Sequence, residues 1–204
     1  MTIEVDTHTH SIASGHAFST IIEMAQDASK RGIKMFCLTD HAPALAGSPH
    51  LWYFGNMKII PPELFGTRII KGVELNILNY RGEVDLPRQI LKNLDYAIAS
   101  FHDVCIQPDT VENHTGVLEV ILSNPYIDAL AHPGNPQFQI DIAKVVKTAV
   151  RENKAIEINN HSPVARAGSE QNCCDILAAC KEYGCRIVTG SDAHICFDIG
   201  KFNF

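Results

Sequence analysis

The chain contains no run of lysines and arginines, and its formal net charge is −6. A nucleic-acid groove normally carries a basic footprint, so nucleic acid is not the expected partner. There is no basic leader followed by an apolar core, and no apolar stretch long enough to cross a bilayer. The expectation is a cytoplasmic protein with no membrane partner. The seven cysteines (Cys37, Cys105, Cys173, Cys174, Cys180, Cys185 and Cys196) are odd in number and show no CxxC spacing. They read as reduced, mostly structural thiols rather than a disulfide framework. No motif for a serine, cysteine or aspartate nucleophile is present, and nothing in the pattern specifies an oligomeric state.

What remains is a chain with an ordinary core and an unusual distribution of histidine. With 204 residues, 46% hydrophobic and 20% charged, residues 1–204 are expected to form a single domain. Strand-like runs at Ile3–His8, Lys34–Thr39, Arg68–Leu75, Tyr96–Phe101, Ile127–Ala131, Ala155–Asn159 and Arg186–Gly190 alternate with helical spacing. The helical segments are Ser19–Arg31, with Ser19 as cap, and Leu86–Asn93, Val111–Leu122, Ile140–Asn153 and Glu170–Tyr183. Several strands are apolar at nearly every position, which suits a parallel sheet buried on both faces. Seven βα units at this pitch predict an α/β fold, a seven-stranded (βα) barrel. An open doubly wound sheet is the competitor, but it places ligands at one switch point between strands.

Strand ends decide between the two. His8, His10, His16, His41, Glu74, His102, His132, Asp192 and His194 all fall at or after the carboxyl end of a predicted strand. A closed barrel brings those ends to one rim. His8 and His10 are two apart, as are Asp192 and His194, so each pair presents both side chains on one face. Imidazole and carboxylate form the ligand set of a borderline metal. Nine ligand-type residues are too many for one ion and suggest three divalent metals, zinc first, with manganese or iron also accepted. Glu74 is the expected bridge, because a carboxylate offers two oxygens. Close-set ions lower the pKa of a bound water and clamp an in-line displacement at phosphorus. A metal-bound hydroxide is then the expected nucleophile, and the expected partner is a small phosphorylated substrate.

These residues lie in stretches that resemble a known family. They are Asp6–His10, Leu38–Pro43, Gly72–Asn76, Phe101-His102, Ala131–Pro136, Glu157–Asn160 and Gly190–His194. The chain resembles the PHP (polymerase and histidinol phosphatase) superfamily, and within it the YcdX-like phosphatase branch. The resemblance implies a distorted seven-stranded βα barrel with a trinuclear centre. It implies His8, His10, Glu74 and Asp192 on one ion, and His16, His41 and His194 on a second. Glu74 as bridge, His102 and His132 fall on a third. Relatives continue into a further helix after the last motif, whereas only Ile195–Phe204 follow here. The expectation is a truncated C-terminus without the helical part, leaving the last strand uncovered.

Residues near the ligands carry secondary expectations. Asp40 is placed to orient a ligating histidine. Arg166, beside Gly168 and a following helix N-terminus, suits a phosphate's non-bridging oxygens. The aromatic segment Ala42–Pro62 reads as a lid or as a shoulder of the barrel, with Trp52 and Tyr53 as an apolar wall. His161 follows the sixth strand and is more often structural than substrate-binding. His50 and His114 carry no functional reading, and Asn135 and Asn159 read as scaffold. Together these predict metal-dependent hydrolysis of small phosphate monoesters. The alternatives are a 3′→5′ exonuclease or other phosphodiesterase, a histidinol phosphate phosphatase, and a metal-binding protein without turnover.

Overall fold

Short buried strands separated by amphipathic helices leave the chain few ways to pair, and parallel neighbours connected by crossovers are the commonest. The computed structural model describes residues 3–202, so the first and last two residues of the expected domain lie outside the described residues. In chain order the elements are β1 (Val5–Thr9), α1 (Ile21–Lys30), β2 (Met35–Leu38), α2 (Leu51–Asn56), β3 (Glu63–Leu64) and β4 (Thr67–Asn76). Then follow α3 (Arg88–Leu91), β5 (Tyr96–Ser100), α4 (Val111–Leu122), β6 (Ala129–Leu130) and α5 (Ile142–Arg151). The last are β7 (Ala155–Asn159), α6 (Ser162–Ala165), α7 (Ser169–Tyr183) and β8 (Arg186–Gly190). Seven strands pair in parallel in the order β1-β2-β4-β5-β6-β7-β8. The ends then meet: Asp192 N donates to His8 O at 2.9 Å and His10 N to Ala193 O at 2.9 Å. The sheet is a nearly closed barrel, as the distribution of strand-end ligands predicts.

Alternation along the strands sorts side chains between the inside and the helices. Ile98, Ala129, Ala131 and Ala155 form a small cluster with Tyr96 and Val188. Cross-strand register aligns Ile98 with Ala129 and Ala129 with Ala155, so this cluster fills the barrel. Residues of opposite parity, among them Val73, Leu75, Ala97, Leu130, Ile156 and Ile158, join the larger core with the helices. Glu74, Glu157 and His8 share the inward parity and stand above the small cluster. Closing the seam needs a glycine. A Cβ on Gly190 would sit 2.4 Å from His8 Cβ and 2.2 Å from Glu157 Oε1.

Several local expectations shift. Helix α1 starts later than Ser19: Thr20 caps it, and Glu23 reaches back to Thr20 N at 2.7 Å, a reciprocal capping box. The Ser19 hydroxyl instead accepts from Cys196 N at 2.8 Å. A short strand, β3, precedes β4 in antiparallel pairing through Phe65 and Gly66, both with positive φ. That is the backbone signature of a tight hairpin turn. Helix α3 is a single turn, and Pro87 sets its start. Segment Ala42–Pro62 is not a plain loop: α2 and a 3-10 turn at Met57–Ile59 seat Phe54 and Met57 in the core. Beyond β8 a 3-10 turn, Cys196–Asp198, packs on α1, and Ile199 is buried. Residues Ile187–Thr189 are half-buried, whereas β7 is buried throughout. Among the described residues all seven cysteines are free thiols, and no helix is long and apolar enough to cross a membrane.

Candidate metal centre

The carboxyl ends of the strands carry the expected residues to one rim. β1 delivers His8 and, just beyond its end, His10; β4 delivers Glu74; and the loops after β2, β5, β6 and β8 deliver His41, His102, His132, Asp192 and His194. His16 does not sit at a strand end. It follows the 3-10 turn Ile12–Ser14, which folds it back over the rim. Backbone strain accompanies the arrangement: His132 and Asp192 both have positive φ, at 34° and 56°. Such conformations cost of order 1–3 kcal/mol each and persist where the surroundings over-determine them.

Glu74 is the hub. Its Oε2 lies 2.8 Å from His41 Nδ1, 3.3 Å from His8 Nε2 and 3.5 Å from His10 Nε2. Its Oε1 lies 2.8 Å from His132 Nε2 and 3.4 Å from His102 Nε2, and accepts from Ser100 Oγ at 2.9 Å. Asp192 Oδ1 stands 3.5 Å from His8 Nε2 and 3.3 Å from His10 Nε2, and those two nitrogens are 3.0 Å apart. Farther out, His194 Nε2 meets His16 Nε2 at 3.1 Å. Three ligand-atom groups lie within 4.8 Å: His8/His10/Glu74, His41/Glu74/His102 and His10/His41/His194. All nine expected ligands therefore converge on one cluster.

Electrostatics holds both carboxylates ionised and lowers four of the surrounding imidazoles. Burial pushes the Glu74 carboxyl up, but His41, His8 and His102 outweigh it and hold it well below the ordinary range. Asp192 is likewise held well below, burial being outweighed by His8, His10 and Arg166. Burial, reinforced by neighbouring His41, holds His10 well below its usual value, and burial with Arg166 takes His132 down to about 4. His16 and His194 are lowered chiefly by burial. His8 is the exception: burial opposes its charge, yet Glu157, Asp192 and Glu74 raise it well above the ordinary value.

This donor set fits divalent metals. His41 Nδ1 and Glu74 Oε2 are both buried, and neither has a hydrogen-bond partner of acceptable geometry despite their 2.8 Å approach. An orphaned imidazole nitrogen facing an orphaned carboxylate oxygen is costly unless a cation satisfies both. The ring nitrogens that face the carboxylates are also oriented through their second ring atoms. His8 Nδ1 pairs with Glu157 Oε1 at 2.8 Å, His102 Nδ1 with Asn76 Oδ1 at 2.6 Å and His10 Nδ1 with Ser14 Oγ at 3.1 Å. Such outer partners fix tautomer and orientation in metal sites.

The secondary expectations divide. Asp40 does not hold the ring of the adjacent His41; it accepts from Ser14 Oγ at 2.7 Å, and Ser14 in turn meets His10. Arg166 is half-buried, 3.5 Å from Asp192 Oδ2 and 3.3 Å from Ser162 Oγ. It lines two adjoining cavities, of about 390 Å³ on the metal side and about 360 Å³ beside Asn135 and Gln137. His161 lines the first of these. Trp52 is 78% exposed and borders an apolar groove containing none of the nine ligands, so it forms no wall of the metal-facing cavity. His50 caps α2, accepting from Trp52 N at 3.3 Å, and His114 is buried between Asp109 N and Gln139 O. Asn159 is scaffold, donating to Glu157 and Asp192 at 3.2 Å each.

Sequence reasoning assigned no role to Glu157, Asn76, Ser14 or Asp6. Glu157 also accepts from His132 N at 2.8 Å, so one buried carboxylate steadies two residues of the cluster. An acidic residue inside the apolar run Ala155–Asn159, sharing parity with Asn159, was its available signal. Asp6 accepts from Ser191 N at 2.9 Å and Gly200 N at 2.8 Å, fastening the barrel seam beneath His8.

Comparison with known proteins agrees with this architecture. A probable phosphatase of Acetivibrio thermocellus is 56% identical over 203 residues, covering 100% of this chain and 84% of its own length. One from Caldanaerobacter subterraneus subsp. tengcongensis is 53% identical over 201 residues, covering 98% and 79%. Among solved structures, the histidinol phosphate phosphatase of Lactococcus lactis, complexed with zinc, L-histidinol and phosphate, superposes with TM-score 0.68 at 18% identity, covering 96% of this chain and 88% of its own. At that identity the likeness concerns the fold. The family model for the PHP domain matches residues 6–202, and the chain belongs to that family.

Proposed function

We propose that this protein is a metal-dependent phosphatase acting on small phosphate monoesters, with three divalent ions shared among the nine rim residues. The observation that carries the reading is Glu74, one buried carboxylate with five imidazoles within 3.5 Å. His8, His10, Glu74 and Asp192 would hold one ion, His16, His41 and His194 a second, and Glu74, His102 and His132 a third. The donor set suits zinc, and manganese or iron by the same nitrogen and oxygen chemistry. Bound ions supply Lewis acidity, activating water near neutral pH and offsetting the phosphate's charge. The family membership and the probable-phosphatase relatives support the same direction.

The chain's own residues then bind and orient. Arg166 is held only at long distance by Asp192, which leaves its guanidinium able to turn to the non-bridging oxygens of a phosphate. The cavity on its far side, lined by Phe101, Asn135 and Gln137, receives the organic part of the ester. Metal analysis of the purified protein, coupled to phosphate release from a panel of monoesters including histidinol phosphate, tests the reading. Phosphate release that follows metal content is expected. A fully loaded protein that releases phosphate from no monoester overturns it, and stepwise shortening of a single-stranded oligonucleotide would replace it with the exonuclease reading.

A further inference from the structure

Tyr53 belongs to the aromatic segment, yet its hydroxyl turns away from the apolar groove and into the rim. It donates to Asp40 Oδ2 at 2.5 Å. Asp40 is fully buried, and three other donors converge on it. These are Ser11 N at 2.7 Å, Ser11 Oγ at 2.8 Å and Ser14 Oγ at 2.7 Å. Ser11 Oγ also accepts from Ala13 N, consistent with spending its own hydrogen on Asp40.

The hydrogen bonds along this chain favour one tautomer of His10. A serine hydroxyl has one hydrogen and two acceptor lone pairs. The hydrogen of Ser14 goes to Asp40, a carboxylate already acting only as acceptor. One lone pair of Ser14 takes the His41 backbone N–H at 3.1 Å. The other faces His10 Nδ1 at 3.1 Å, and so Nδ1 carries the proton. Nε2 of His10 is therefore a bare lone pair, and it points at Glu74 and Asp192. This arrangement gives each buried group a partner and places the Ser14 hydrogen on the charged acceptor, where a hydrogen bond is strongest.

We infer that Tyr53 is a positioning residue for the metal centre: through Asp40 and Ser14 it holds the His10 ring with Nε2 free, so that docking of helix α2 and an ion at His10 stabilise each other. This rests on the metal reading given above. Coupling of this kind is reciprocal, so an ion on His10 tightens α2 as much as Tyr53 tightens the ion. The chain contains one tryptophan, Trp52. It neighbours Tyr53 on α2, is exposed, and takes no part in the hydrogen-bonded chain, which makes it a reporter of α2 motion.

The experiment uses the metal-loaded protein with zinc, and with cobalt for its visible spectrum. Transfer of metal to a chromophoric chelator gives the release rate, and time-resolved anisotropy gives the mobility of Trp52. Direct outer partners of metal ligands are worth about 10–100-fold in affinity. Tyr53 acts at two removes, through Asp40 and Ser14, so Tyr53→Phe should speed release of one ion about fivefold and alter the cobalt spectrum. Chelation should loosen Trp52 in the parent protein and leave its mobility unchanged in Tyr53→Phe. Ser14→Ala should release metal at least as fast, and adding Tyr53→Phe to it should change nothing further. Ile59→Ala, on the exposed outside of the same segment, should leave release and spectrum as they are. Parental release rate and spectrum in Tyr53→Phe, or a Tyr53 effect that persists in the Ser14→Ala background, overturns the inference while the metal reading stands. A parent protein that binds no metal overturns both.

Discussion

The imidazoles around Glu74 and the pair His16–His194 belong to one cluster but are held by different means. His8, His10 and Glu74 have no solvent exposure, and His8 and His10 are each gripped at the second ring nitrogen by a buried partner. His16 is exposed and His194 half-buried; their nitrogens face each other, and His194 Nδ1 is steadied by its neighbour's carbonyl, Asp192 O, at 2.9 Å. The inner ring is preorganised by strands and buried carboxylates, whereas the outer pair rides on two rim loops. Preorganisation lowers the entropy lost when a ligand set closes on an ion. The inner positions should accordingly bind first and release last.

Experiments can break that comparison, starting with the largest effect. Glu74→Gln removes the carboxylate shared by five imidazoles, and both metal content and phosphate release should fall to background. Full metal retention in this variant, measured by elemental analysis, would remove Glu74 from the centre. His16→Ala should lower the stoichiometry by one ion while the inner ions stay; loss of every ion would mean that the two regions are one cooperative unit. Glu157→Gln should weaken metal affinity about 10- to 100-fold by loosening His8, with little change in the outer pair. Competition with a chelator of known affinity reads that value. Arg166→Ala leaves metal content intact and should raise KM about tenfold, the scale of one lost hydrogen bond to a charged group. An unchanged KM would remove Arg166 from substrate binding.

Much of this was legible in the residues because the relevant signal was local. Apolar runs ended by His, Asp or Glu gave the strand ends, and parity placed His8 with His10 on one face. The barrel followed from the need to bring those ends together. What stayed hidden depended on contacts across the fold. Glu157 has meaning only because Gly190, with no Cβ, allows β8 to approach β1 and β7 closely. Asp40 sits beside His41 in sequence but reaches His10 through Ser14, a route that no spacing announces. Tyr53 looked like apolar lining because aromatic residues in a loop usually serve that purpose; its hydroxyl contradicts that reading. Ser19 lost the helix cap to Thr20, whose partner Glu23 was the better local signal.

The seam between the first and last strands has a consequence for how the protein acquires its ions. His8 and His10 lie on one side of it, and Asp192 and His194 on the other. The clasp from Asp6 to Ser191 joins residues 185 positions apart. Contacts this distant in sequence are the slowest to form. A chain still emerging from the ribosome therefore carries His8 and His10 without these partners until residue 194 has been made. An ion held by residues from both sides of the seam would bind only after β8 has docked, and would then lock β8 against β1.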